Sequence, residues 1–229
     1  LSGTLMKWWV RRTLEKSTKV IALSDKWADF LSSYAPRADV SVIPNSVPLF
    51  ALSDHTIEEE GRILFLGRSE EHKGIFELLT ALSLLKSSYP AIKLAIAGDG
   101  DLTVVQGKAK DLGIADRIEI LGWIGADQKN QELQRACIFA LPSYAEGLPM
   151  SMLEAMSAAK AIVVTSVGGI PNVVNDQING LLIPPRDAPA LADALGKLLA
   201  DRHLRANLAS NARKTIEQCY SSHIVMEKL

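Results

Sequence analysis

From residue 62 onward the chain alternates between two hydrophobic periods. RILFLG (62–67) is a short apolar run closed by glycine, the pattern of a strand buried on both faces of a parallel sheet. Ile75, Leu78, Leu79, Leu82 and Leu85 then recur at helical spacing until Pro90 stops them. IKLAIAG (92–98), RIEILGW (117–123), ACIFALPS (136–143) and AIVVTS (161–166) repeat the strand pattern, and GLLIPP (180–185) is a shorter sixth run. Between them the spacing predicts helices over about 102–112 and 127–135, and another that starts with Pro149 as its first helical residue. Two more, over about 187–200 and 202–219, close the run. Strand and helix alternating across short connections marked by Gly and Pro predict an α/β fold, a doubly wound parallel sheet with helices on both faces. Such sheets bind ligands at the carboxyl ends of their strands, so chemistry is expected in the loops that leave them.

The first 50 residues hold two strand-like runs, KVIALS (19–24) and VSVIP (40–44), around one helix-like stretch. That is too little for a domain and reads as the tail end of a second α/β domain. Residues 45–61 are loop-rich and then acidic, with a linker placed at 51–61. The main domain is expected over 62–208 and a terminal helix over 209–229.

Composition changes this picture little. The 229 residues are 48% hydrophobic and 22% charged, an ordinary globular balance with length enough for a sizeable core. A formal net charge of -1 implies no global pull on nucleic acid. Cys137 and Cys219 both fall in apolar-periodic segments and are expected in the core of a protein kept in a reducing compartment. No apolar run reaches the ~18–20 residues that span a bilayer. The chain begins at Leu1, which predicts a truncated N-terminus. Residues 1–20 change the picture most: Lys7, Arg11, Arg12, Lys16 and Lys19 stand against Glu15 alone, interleaved with Leu5, Met6, Trp8 and Trp9. As a helix, residues 5–19 would suit an anionic membrane surface. The competing reading, a domain helix packed on a missing part of the protein, weighs slightly more.

The loop after the first strand of the main domain is GRSEEHKG (67–74), with Gly67, Arg68 and Lys73 directly before a helix. Helix N-termini favour anions, and two cations there suit a diphosphate. Taken alone, the loop favours the plainer reading, a charged turn in which Arg68 and Lys73 pair with Glu70 and Glu71 in solvent. In GDGDL (98–102) the third glycine of a dinucleotide fingerprint is missing, and the two aspartates lack the further oxygen ligands of a metal site. A tight turn with Asp101 capping a helix is expected instead. In PSYAEGLPMSMLEAM (142–156) an almost wholly apolar helix carries Glu154, eight positions after Glu146 in the preceding loop. An unpaired carboxylate in such surroundings would cost several kcal/mol, so each acid needs a partner: a ligand diol, or a structural ion pair with a cation such as Arg68 or Lys73. The amides of Gly147 and Leu148 remain available to phosphate or sugar oxygens. In TSVGGIPNVV (165–174) paired glycines let backbone approach a ligand, or simply turn.

Taken in this order, GR-x4-KG, the 142–156 segment with its E-x7-E spacing, TSVGGIPNVV and NGLLIPPRD strongly resemble the retaining group 1 glycosyltransferases, which have two Rossmann-like domains in the GT-B architecture. The resemblance covers about 40–229. It implies that this chain is mainly the donor-binding half of an enzyme using a nucleotide-diphosphate sugar, UDP- or GDP-linked, to glycosylate a glycan or lipid-linked acceptor in cell-surface polysaccharide synthesis. Arg68 and Lys73 would hold the diphosphate and stabilise its departure. Glu146 would contact the transferred sugar and act with them in catalysis. Glu154 would grip the ribose diol, and Gly67, Gly147, Leu148 and Pro149 would complete the donor site. No metal and no other cofactor is implied, because protein cations neutralise the diphosphate. Residues 21–24 and 42–47 would end the acceptor domain and form the hinge, and the last helix would cross back to it. Location would be cytoplasmic, at the inner face of the membrane. The chain departs from the family at Ser46, where glycine is usual and the hinge is therefore stiffer, and at Asn172, where glutamate is frequent. The family's glycine-rich acceptor loop and its histidine have no counterpart here, so a chain like this is expected to bind nucleotide sugar weakly and transfer little. A non-catalytic nucleotide-sugar-binding or interaction module is the alternative; the E-x7-E spacing argues against a third reading, a sugar-nucleotide epimerase.

Overall fold

The computed structural model describes residues 3–52 and 58–227. The chain opens with α1 (Thr4–Lys16), β1 (Val20–Ala22), α2 (Asp25–Tyr34) and β2 (Val40–Val42). β1 and β2 pair in parallel, Val20 opposite Val40, with α2 as their crossover. Ser24 caps α2 by accepting a hydrogen bond from the Trp27 amide. No residue of α1 is buried, and Leu5, Trp8 and Trp9 are exposed on it.

The remaining strands are β3 (Arg62–Leu66), β4 (Lys93–Ala97), β5 (Ile118–Gly122), β6 (Ile138–Leu141), β7 (Ala161–Thr165) and β8 (Leu181–Ile183). They form one parallel sheet in the order β5-β4-β3-β6-β7-β8. β3, β6 and β7 are buried throughout, which accounts for their unbroken apolar runs. The helices are α3 (Ile75–Leu85), α4 (Leu102–Asp111), α5 (Ala126–Arg135), α6 (Met150–Ser157), α7 (Ala188–Ala200) and α8 (Arg202–Thr215). α3 packs on α4 and α7, and α6 packs on α8. The chain winds outward from β3 through β4 to β5, then returns to β6 on the other side of β3. That reversal makes the crevice between β3 and β6 the topological switch point, where open α/β sheets bind ligands.

Two expectations need correction. Cys137 is buried and burial pushes its thiol up, but Cys219 is exposed. It lies in a π-helical turn, Ile216–Tyr220, that follows α8; the wider turn takes it off the 3.6-residue periodicity that places a side chain in the core. Pro149 is the N-cap of α6 rather than its first helical residue, with ψ 125° still extended. Asp101 caps α4 as expected, accepting from the Val104 amide.

At the amino ends of the strands lies a charged cluster remote from the switch point. Arg62, 2% exposed, binds Glu119 (2.6 Å) and the buried Glu132 of α5, and Arg135 binds Glu132 (2.5 Å) and Glu59 (2.6 Å). The acidic stretch 58–60 is held on this side too: Glu58 pairs with Lys160 at 2.8 Å and Glu60 with the buried Arg205 at 3.0 Å. Residues 53–57 of the expected linker lie outside the described residues.

Candidate functional site

The loops that leave β3 and β6 meet at the switch point. The β3 loop passes through a 3-10 turn, Glu71–Lys73, and enters α3 through Gly74 in the left-handed region, φ 72°. A Cβ on Gly74 would lie 2.0 Å from the Pro142 carbonyl oxygen, so only glycine lets this turn press on the exit of β6. The Tyr144 amide donates to the His72 carbonyl (2.8 Å), and the Tyr144 hydroxyl to Glu77 (2.6 Å) on α3. Burial and then the Glu77 carboxylate push the Tyr144 hydroxyl up to about 12, which keeps it a donor. The Arg186 guanidinium covers the other side of the ring, 4.5 Å from its centre. These contacts hold the β6 loop on the lysine-bearing turn.

That docking brings Lys73 Nζ to 2.7 Å from Glu146 Oε1. The carboxylate is 9% exposed, the lysine 22%. One turn into α6 and beyond, Glu154 receives Lys129 of α5, Nζ to Oε1 at 2.5 Å. Each acid on the apolar segment therefore has a cation of its own, as its desolvation requires. In both pairs the lysine takes Oε1, and no hydrogen bond reaches Oε2 from any described residue.

Both pairs open into one cleft of about 540 Å³, lined among others by Gly67, Arg68, Lys73, Glu146, Pro149 and Glu154. Six of the eight residues singled out in the sequence thus converge. The other two, Gly147 and Leu148, adjoin Glu146 in the same loop but are not among the residues lining the cleft. Leu148 is buried; its carbonyl accepts from Asn45 Nδ2 at 2.6 Å, and the Gly147 carbonyl accepts from the Gly169 amide at 2.7 Å. Their own amides donate to no acceptor among the described residues. Arg68 is 63% exposed and pairs with Glu70 (3.0 Å) and Asp99 (3.4 Å), so the solvent-paired arrangement holds for Arg68 and fails for Lys73.

The paired glycines after β7 serve the chain itself. A Cβ on Gly168, φ 55°, would lie 1.7 Å from the Glu146 carbonyl oxygen. The close approach they permit is of one loop to another, and it fixes the backbone that carries Glu146. Two residues of the cleft carried no motif. Lys129 sits in a polar helix without a distinguishing pattern, and Trp123, 79% exposed beside Ile124, stands on the cleft wall after β5. Among the described residues no three His, Cys, Asp or Glu side chains converge as a metal set, and no helix is long and apolar enough to cross a membrane.

Comparison with known proteins gives this geometry a context. The phosphatidyl-myo-inositol mannosyltransferase of Mycolicibacterium smegmatis is 31% identical over 214 residues, 89% of this chain and 54% of that protein. The N,N'-diacetylbacillosaminyl-diphospho-undecaprenol alpha-1,3-N-acetylgalactosaminyltransferase of Campylobacter jejuni is 31% identical over 178 residues, 75% of this chain and 44% of that protein. The chain spans about half the length of such curated relatives. Among solved structures, Anabaena Alr3699/HepE in complex with UDP superposes on all of this chain and 66% of its own, with TM-score 0.88 and 22% identity. The C-terminal domain of a group 1 glycosyl transferase family protein (LpcC) from Francisella tularensis matches 76% of this chain and 97% of its own, with TM-score 0.70 and 24% identity. These structural likenesses bear on the fold alone, the Rossmann-like domain of the GT-B architecture. Residues 52–215, most of the chain, match the family described as Glycosyl transferases group 1, and the chain belongs to that family.

Proposed function

We propose that this chain is the donor-binding half of a retaining glycosyltransferase that takes a sugar from a UDP- or GDP-linked donor. The observation that carries the reading is the convergence of Glu146, Glu154 and Lys73 on one cleft at the sheet's switch point. Lys73 and Arg68 meet the diphosphate, with the unengaged amides of Gly147 and Leu148 behind them. Glu146 accepts from hydroxyls of the transferred sugar, and Glu154 from the ribose diol. In this reading the cations of the protein, rather than a metal ion, balance the diphosphate. Residues 1–50 close the acceptor-binding half, 51–61 link it to the donor domain over 62–208, and 209–229 return to the first half. The bonds joining Val47 to both Tyr220 and Ser222 support that return.

Calorimetric titration of UDP and GDP tests the donor assignment. At least one is expected to bind, and Glu154→Ala is expected to weaken it about 10–100-fold, the worth of hydrogen bonds to a charged group. Two inert nucleotides, or an unchanged affinity in the variant, would refute it.

The acceptor in this proposal is a glycan or lipid-linked sugar. Two relatives carry phosphatidyl-myo-inositol and diphospho-undecaprenol in their names, which supports a lipid. α1 fits the same setting, since its exposed Leu5, Trp8 and Trp9 stand among Lys7, Arg11, Arg12 and Lys16. Flotation of the full-length protein with phosphatidylglycerol vesicles is expected to exceed flotation with phosphatidylcholine, and Trp8→Ala/Trp9→Ala is expected to abolish the excess. Equal flotation with both lipids would end the idea.

A further inference from the structure

Lys129 belongs to none of the motifs that mark the cleft, yet it holds one of its two acids. It sits in the first turn of α5, four residues before the buried Leu133, so its helix face is turned toward the sheet. A cation there opposes the helix dipole, an unfavourable placement that a partner must offset. The partner is Glu154, and its position is unusual. Lys129 and Glu154 line the 540 Å³ cleft and also a second cavity of about 360 Å³ bounded by Pro48, Phe50, Leu133 and Ser157. The ion pair is therefore part of the partition between two cavities. A glutamate in such a wall, with three side-chain torsions free, could turn its carboxylate to either side. Two adjacent hydroxyls are recognised well only by a carboxylate whose plane is fixed in advance.

We propose that Lys129 is a positioning residue for the donor's ribose. By holding Oε1 at 2.5 Å it fixes the Glu154 carboxylate within the wall of the larger cleft, leaving Oε2 to accept from the ribose hydroxyls. The consequence is selectivity for ribose over deoxyribose. The inference rests on the assignment of Glu154 to the ribose diol, and the experiment separates the two.

The probes are UDP, 2'-deoxy-UDP and 3'-deoxy-UDP, or the guanine set where GDP binds more tightly. Each is titrated into the wild-type chain and into Lys129→Met, Lys129→Arg, Glu154→Gln and the double variant Lys129→Met/Glu154→Gln. The wild type is expected to prefer the ribonucleotide about tenfold or more over either deoxy form. In Lys129→Met that ratio is expected to fall to about one to three, and Lys129→Arg is expected to restore most of it. Because Lys129 acts through Glu154, the double variant is expected to be no weaker than Glu154→Gln alone. A ribose preference that survives Glu154→Gln overturns the ribose assignment and the inference with it. A preference lost in Glu154→Gln but kept in Lys129→Met overturns only the role of Lys129. Losses that add in the double variant also overturn it, because Lys129 would then touch the nucleotide directly. Thermal melting of each variant identifies unfolding, and a uniform loss of affinity for all three nucleotides, with the ratio intact, counts against positioning.

Discussion

Lys73→Met, at the residue proposed to face the donor diphosphate, is expected to lower kcat for the proposed sugar transfer by the full-length protein about 10²–10³-fold, the usual effect of removing one preorganised group that stabilises developing charge. As the bond between sugar and diphosphate breaks, charge accumulates on the leaving phosphate oxygens. A cation fixed beside them is worth more in the transition state than in the ground state. Lys73 is fixed by two independent means: the turn that bears it is locked against Pro142 through Gly74, and its ammonium is bonded to a carboxylate that is 9% exposed. Arg68, largely exposed and shared between Glu70 and Asp99, has no such anchorage. Arg68→Met should therefore cost less than Lys73→Met. The effect should appear in kcat more than in KM, since donor binding draws on several contacts and bond cleavage on few. If protein cations take the leaving-group charge, EDTA leaves the rate unchanged. A Lys73→Met enzyme that melts normally and keeps kcat within about threefold of wild type would remove Lys73 from the chemistry.

The sequence makes part of this site legible for a definite reason. Apolar runs of four to six residues and helical repeats are local patterns, so the strands and helices can be read from spacing alone. Desolvation is local too. Two acids on an apolar segment demand partners wherever the chain places them, and a lysine in the loop after the neighbouring strand is a natural supplier. What spacing does not give is the identity of partners across helices. Lys129 meets Glu154 because α5 packs on β3 and shares with α6 the lining of the smaller cavity, and nothing in its own polar surroundings distinguishes it from solvent-facing lysines. The glycine pair at 168–169 illustrates the same limit. Its need for close approach is readable, but the object approached is the Glu146–Gly147 backbone, some twenty residues away in sequence. Spacing misplaces Cys219 because a π turn interrupts the helical period that would carry it into the core. Spacing marks Arg62 as the opening of a strand and gives no sign that its charge is buried.

That buried charge yields the largest expected effect on stability. Glu132→Ala is expected to destabilise the chain by about 3 kcal/mol, the lower end for breaking a buried ion pair, and to lower Tm by roughly 6–12 °C. Arg62 is 2% exposed and Glu132 3%, so neither is well solvated if the other is lost. Arg62 Nε already lacks a partner among the described residues, so the guanidinium has little reserve. Burial works against its charge, and hydrogen bonds to Glu119 and Glu132 outweigh that and hold the proton. Removing Glu132 takes away the buried half of this support and leaves Glu119 and Glu59, both about two-fifths exposed. Their survival places the cost near 3 rather than 5 kcal/mol. The paired replacement Arg62→Met/Glu132→Leu removes both charges and keeps apolar bulk between β3 and α5. It is expected to lie within about 1 kcal/mol of wild type or above it, since replacing a whole buried pair by apolar residues is often neutral or better. Urea unfolding of the three proteins measures this. Because the cluster lies at the amino ends of the strands and the cleft at their carboxyl ends, the double variant should also bind nucleotide as the wild type does. A Glu132→Ala chain as stable as wild type would mean that solvent reaches Arg62 and that the cluster is a surface network, worth well under 1 kcal/mol per pair.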